Sequence, residues 1–129
     1  METRFFLNIS NHPSSKWGQA QWWAAGQIGL ERHDIPFPEV DPTSDEMDAL
    51  VDQVAAAVQS FLDEGLGFVA AMVAGEPVLT VRLVARLQSM GVDCYAATTR
   101  RVAAEKDGVK TSVFQFDHFR PFPRITLGA

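Results

Sequence analysis

The chain has 129 residues, of which 47% are apolar and 21% charged, and a formal net charge of −5. That composition fits one domain with an ordinary core. It excludes a disordered chain and a duplex DNA binder that relies on a broad basic face, while leaving room for a local anion pocket, since local field and net charge are different quantities.

The N-terminal METRFFLNISN is too short and too polar for a signal peptide. Arg4 to Ser10 reads as a strand, because Phe5, Phe6, Leu7 and Ile9 are nearly continuous, as in a strand covered on both faces. The run then breaks into Ser10, Asn11, His12, Ser14, Ser15 and Lys16 around Pro13. A helix is expected over residues 15–27, weakened by Gly18. Trp22 and Trp23 within it cannot both face the core, so one is expected at an interface or as a base-stacking platform. RHDIPFPEV at 32–40 reads as a short strand limited by Pro36 and Pro38.

The clearest helix follows, capped by Ser44 or Asp45, with Met47, Leu50, Val51, Val54, Val58, Phe61 and Leu62 on one face and Gly65 or Gly67 at its end. GFVAAMV at 67–73 reads as a buried strand, and the longest apolar run, GFVAAMVAG at 67–75, is far too short to span a membrane. Pro77 opens a further helix with a Leu79, Leu83, Leu87, Met90 stripe, and Gly91 closes it. VDCYAATT at 92–99 is the next strand. Strictly alternating strands and helices imply a mainly parallel sheet with helices on both faces. Asp107-Gly108 is a two-residue turn signal, so a C-terminal antiparallel β-hairpin should extend the sheet edge. Cys94 is the only cysteine, which leaves no disulfide framework or zinc cluster. No repeat or linker divides the chain. A cytoplasmic protein without a membrane partner is expected.

Open parallel sheets bind ligands beyond the carboxyl ends of their strands. Three segments are expected there: Ser10 to Lys16, then Gly75, Glu76, Pro77 and Thr80, then Thr98, Thr99, Arg100 and Arg101. Together they offer two helix N-termini, several hydroxyls and adjacent arginines, which are parts that grip phosphate. Neither a dinucleotide glycine fingerprint nor an ATP P-loop is present. Each feature also has a plainer role: Ser14 or Ser15 as a helix cap, Glu76 as a partner of the following helix dipole, Arg100 and Arg101 as solvated hairpin residues, His12 as a surface residue, His118 as a packed or edge residue.

FLNISNHPSSKW, GEPVLTVRLVARLQSMG and CYAATTRRV resemble the small CRISPR-associated Rossmann-fold (CARF-like) proteins that accompany type III CRISPR systems. The resemblance covers most of the chain and implies a Rossmann-like core with a C-terminal hairpin, as a homodimer that binds a cyclic oligoadenylate across its two-fold axis. Some such proteins are ring nucleases; others only bind the messenger. The expected chemistry is metal-independent and needs no cofactor: a ribose 2′-hydroxyl attacks the neighbouring phosphate in line. His12, Glu76 and Arg100 are the candidate catalytic residues, His12 or Glu76 as acid or base and Arg100 or Arg101 on the developing charge. Ser10, Asn11, Ser14, Ser15, Lys16, Gly75, Thr80, Thr98, Thr99 and Arg101 are the candidate ligand-binding residues. Three readings result: a ring nuclease, a non-cutting binder of the same messenger, and a Rossmann-like interaction module that holds no nucleotide.

Overall fold

A computed structural model describes residues 2–128. Its elements are β1 (Thr3–Ser10), a 3-10 turn (Ser14–Lys16), α1 (Gln19–Ile28), β2 (Glu31–Pro36), α2 (Asp48–Leu62), β3 (Phe68–Val73), α3 (Pro77–Ser89), β4 (Asp93–Lys106) and β5 (Val109–Pro121). They form one 5-stranded sheet in the order β2-β1-β3-β4-β5. β2, β1, β3 and β4 run parallel and β5 is antiparallel to β4, so the α/β architecture expected from the alternation is the one found.

Strand alternation divides the core. Phe5, Leu7 and Ile9 of β1 pack on one face with Val51, Val54 and Val58 of α2 and Leu79, Leu83 and Leu87 of α3. Phe6 faces the other way, among Ala25 of α1, Ala70, Met72 and Phe119. Leu79, Leu83 and Leu87 are fully buried, and each contributes about 1.5–3 kcal/mol through the apolar area removed from water.

Four boundaries differ from the sequence expectation, each for a local reason. The helix expected over 15–27 is divided into the 3-10 turn and α1, because Trp17 and Gly18 are extended. Extended backbone at Trp17 seats its ring against Phe6 and Phe119, with centroids 6.3 and 6.1 Å away. β2 stops at Pro36, as the prolines require, and Phe37 turns into the core. α2 starts at Asp48 rather than at a Ser44 or Asp45 cap. Asp41 and Ser44 accept instead from the N–H groups of Thr43 and Glu46, two residues on, which holds the segment as turns.

The largest difference lies in β4, which continues far past Thr99. Only Asp93, Cys94 and Tyr95 pair with β3; beyond them β4 pairs with β5 alone, as a long ribbon. Asp107 and Gly108 turn it with φ of 54° and 79°, the left-handed conformation that a tight hairpin turn demands. Alternating small, hydroxylated and basic residues from Ala96 to Ala103 satisfy a strand as readily as a loop, and the cross-strand partners decide.

Candidate functional site

Order β2-β1-β3 makes the carboxyl ends of β1 and β3 the topological switch point: the chain leaves β1 for one neighbour and returns to the other. The loop after β1 is shaped by a buried polar network. Asn8 and Ser10 are only 1% and 6% exposed. The Asn8 amide donates to the His12 carbonyl at 2.8 Å and to Asp34 Oδ1 at 3.1 Å. Ser10 Oγ donates to Asn8 Oδ1 at 2.7 Å and accepts from the His12 N–H at 3.2 Å. The Asp34 carboxylate accepts the Ser14 N–H at 3.3 and 3.1 Å. Buried polar groups are costly unless paired, so the strand end and β2 together fix the path of residues 10–14.

Beside this loop lies a crevice of about 860 Å³. Ser10, His12, Lys16 and the start of α1 form one side, Met72 and Ala74 the floor, and Ala97, Phe114 and Phe116 the hairpin side. Gly18 caps α1 without a side-chain hydrogen bond, and no acidic residue stands in the first turn. The first intrahelical bond is Trp22 N–H to Gly18 carbonyl, so the N–H groups before it face the opening with a partial positive charge. Trp22 is half-buried beneath Arg32, whose guanidinium carbon is 4.1 Å from the ring centroid. Trp23 is 69% exposed, as two adjacent helical positions require.

The crevice unites Ser10, His12 and Lys16. Ser14 is buried under its Asp34 bonds and starts the 3-10 turn rather than capping α1; Asn11 and Ser15 are exposed. Gly75, Glu76 and Thr80 stand elsewhere at the same edge. A Cβ on Gly75 would come within 2.5 Å of the Phe37 ring, so packing demands this glycine. The Glu76 carboxylate accepts the N–H groups of Val78 and Leu79 and caps α3, while Thr80 Oγ1 donates to the Glu76 carbonyl at 2.8 Å. Of the two helix N-termini expected to be free, that of α1 alone is left uncapped by a side chain.

Thr98, Thr99, Arg100 and Arg101 are strand residues and not a loop after the fourth strand. Arg100 binds the Asp117 carboxylate through Nε at 2.9 Å and through Nη2. Its guanidinium therefore holds the Asp117 carboxyl below the usual carboxylate range, helped by His118. Arg101 donates to Ser112 Oγ at 2.9 Å and stands opposite Phe114, as Thr99 stands opposite Phe116. Cross-strand partners share a face, so Arg101 shares the ribbon face of Phe114 and Phe116 and Arg100 lies on the opposite one, and neither arginine lines the crevice. Asn8, where the apolar run of β1 stops, was not among the expected ligand-binding residues, and Asp34 escaped the sequence reading. An amide inside an apolar strand run was a usable signal for Asn8; Asp34 gave none, because its link requires the Asn8–Asp34 register.

Fold and crevice together define an α/β domain, a mainly parallel sheet with helices on both faces, with an open crevice at its switch point. Residues 4–120 match the model of the family described as uncharacterized protein MJ1673, and the chain belongs to that family. No curated protein and no solved structure matches the chain. Among the described residues no helix is long and apolar enough to cross a membrane.

Proposed function

We propose that the crevice binds a cyclic oligoadenylate, cyclic tetra-adenylate first, and that the protein cuts it in the cytoplasm as a ring nuclease that switches off type III CRISPR signalling. One observation carries the reading. The uncapped start of α1, Lys16 and His12 share an opening with Phe114 and Phe116. Amide N–H groups and a lysine suit phosphate, and aromatic rings suit stacked bases. A cyclic tetra-adenylate has two-fold symmetry, so a homodimer presents each crevice to half of the ring. The route uses in-line attack by a ribose 2′-hydroxyl and invokes neither metal nor cofactor.

A second reading, binding without cutting, is favoured by the engagement of Arg100 with Asp117 and of Glu76 with the α3 cap. Incubation of the purified chain with radiolabelled cyclic oligoadenylates of several ring sizes, with and without EDTA, separates them. Linear products that survive EDTA support cutting. A shifted but intact ring supports binding alone. Absence of binding to every ring rejects both and leaves an interaction module.

A further inference from the structure

Besides the groups suited to phosphate, the crevice holds a half-buried amide with little to bond. Gln21 stands in the first turn of α1 and lines the opening. It lies three residues after the cap, where a glutamine can turn back to the cap N–H. Its side chain turns the other way, and Nε2 lies 3.9 Å from the Met72 sulfur. Met72 is only 3% exposed and forms the floor. The carboxamide therefore reaches to the bottom of the crevice.

Among the described residues this is the one hydrogen bond of the Gln21 side chain. A thioether is a weak acceptor, so a donor and an acceptor stay available side by side above an apolar floor. Ala97 and Phe116 line the same opening from the hairpin, and Phe119 holds the Phe116 ring at a centroid distance of 4.9 Å. Among the described residues no carboxylate lines the crevice, so nothing there competes for an amino group. These surroundings suit a flat ring whose edge carries a donor beside an acceptor. The N7 edge of adenine has that order, the 6-amino group next to N7, and a glutamine amide pairs with both. Guanine and hypoxanthine show two acceptors there, which one carboxamide cannot match. The backbone N–H of Gln21 precedes the first intrahelical bond, made by Trp22. One residue thus offers an amide to phosphate and a carboxamide to a base.

We propose that Gln21 selects adenine over 6-oxopurines by pairing its carboxamide with the N7 edge of a base that lies over Met72. The proposal rests on the reading of the crevice as a cyclic oligoadenylate site, and it names the atoms by which that site recognises its base. On binding, Nε2 exchanges the Met72 sulfur for N7, and Oε1 accepts a proton of the 6-amino group. Met72 becomes an apolar contact beneath the purine. Lys16 and the free N–H groups of α1 are left to the phosphate.

Binding of three rings to the full-length chain tests this. The rings are 2′-fluoro cyclic tetra-adenylate, its 7-deaza-adenine counterpart, which lacks the N7 acceptor, and its hypoxanthine counterpart, which lacks the amino donor; the fluorine removes the nucleophile and keeps each ring intact. The parent should bind the adenine ring roughly fivefold to 150-fold more tightly than either of the others. Gln21→Met should bind all three alike, at about the parent's affinity for the weaker two, with an unchanged melting temperature. Equal binding of the three rings by the parent overturns the proposal without any variant and leaves the cyclic oligoadenylate reading intact. A parent-like preference in Gln21→Met also overturns it, because another group then reads the base. A parent that binds no adenine ring, fluorinated or all-ribose, removes the reading and the proposal together.

Discussion

Asn8 shows how one side chain can set a loop. It stands in the middle of an apolar strand, and its amide joins β1, β2 and the following loop through His12, Asp34 and Ser10. Replacing Asn8 by Ala leaves buried acceptors with fewer donors and should lower stability by about 1–3 kcal/mol, read as a reduced urea midpoint with an unchanged slope. An unshifted midpoint would mean that the loop holds itself. Cys94 offers a second test at this scale. Burial pushes its thiol up to about 12, so the reactive thiolate is scarce in the native state. A thiol reagent at mildly alkaline pH should label Cys94 only after denaturant is added. Prompt labelling of the native protein would show that β4 opens where it pairs with β3.

Elements follow from local chemistry more closely than their ends do. The buried strands, the α3 stripe, the Pro77 start and the Asp107-Gly108 turn were legible in the sequence because each depends on nearby residues. The site was less legible. Arg100 and Arg101 were expected in a loop, and only the pairing with Gln115 and Phe114 shows a strand. Asp117 and His118 meet Thr98 through a bulge, and a bulge is a property of two strands in register, invisible along one. Glu76 caps α3, so Glu76→Ala should cost about 0.5–2 kcal/mol of stability, measured by denaturant titration; no loss would mean that Pro77 alone sets the helix start. The Asp117 pair with Arg100 has a pH signature. The folded carboxyl titrates below its ordinary 3.8; its stabilising contribution is complete above the unfolded value and is lost as pH falls through the folded one. Melting curves of the parent and D117N should therefore differ at neutral pH and converge in strong acid. Equal curves at every pH would mean that the exposed pair adds nothing to the ribbon.

At the scale of the whole molecule, the ribbon is the part least supported by its own core. From Thr99 to Gln115, both strands are exposed at nearly every position, and Phe114 is 68% exposed. An isolated two-stranded ribbon is marginal in water. A two-fold partner would cover a ribbon that the single chain leaves exposed, and the proposed ligand has matching symmetry. Sedimentation should therefore give a homodimer, and Phe114→Ser should shift it toward monomer if the ribbon takes part. A parent that stays monomeric with and without cyclic tetra-adenylate would remove the basis for two-fold binding.

The position of β1 in the sheet also has a consequence during synthesis. This first strand occupies an inner place, between β2 and β3. β2 is translated soon afterwards, but about 60 residues separate β1 from its β3 partners, which at roughly 5–20 residues per second takes several seconds. Throughout that interval the apolar Phe5–Ile9 segment has an open hydrogen-bonding edge on the growing chain. Pausing of a ribosome before Phe68 would prolong it, and two nascent chains on one message could then meet edge to edge. The same central strand that anchors the finished sheet is thus the segment most in need of shielding before the sheet is complete.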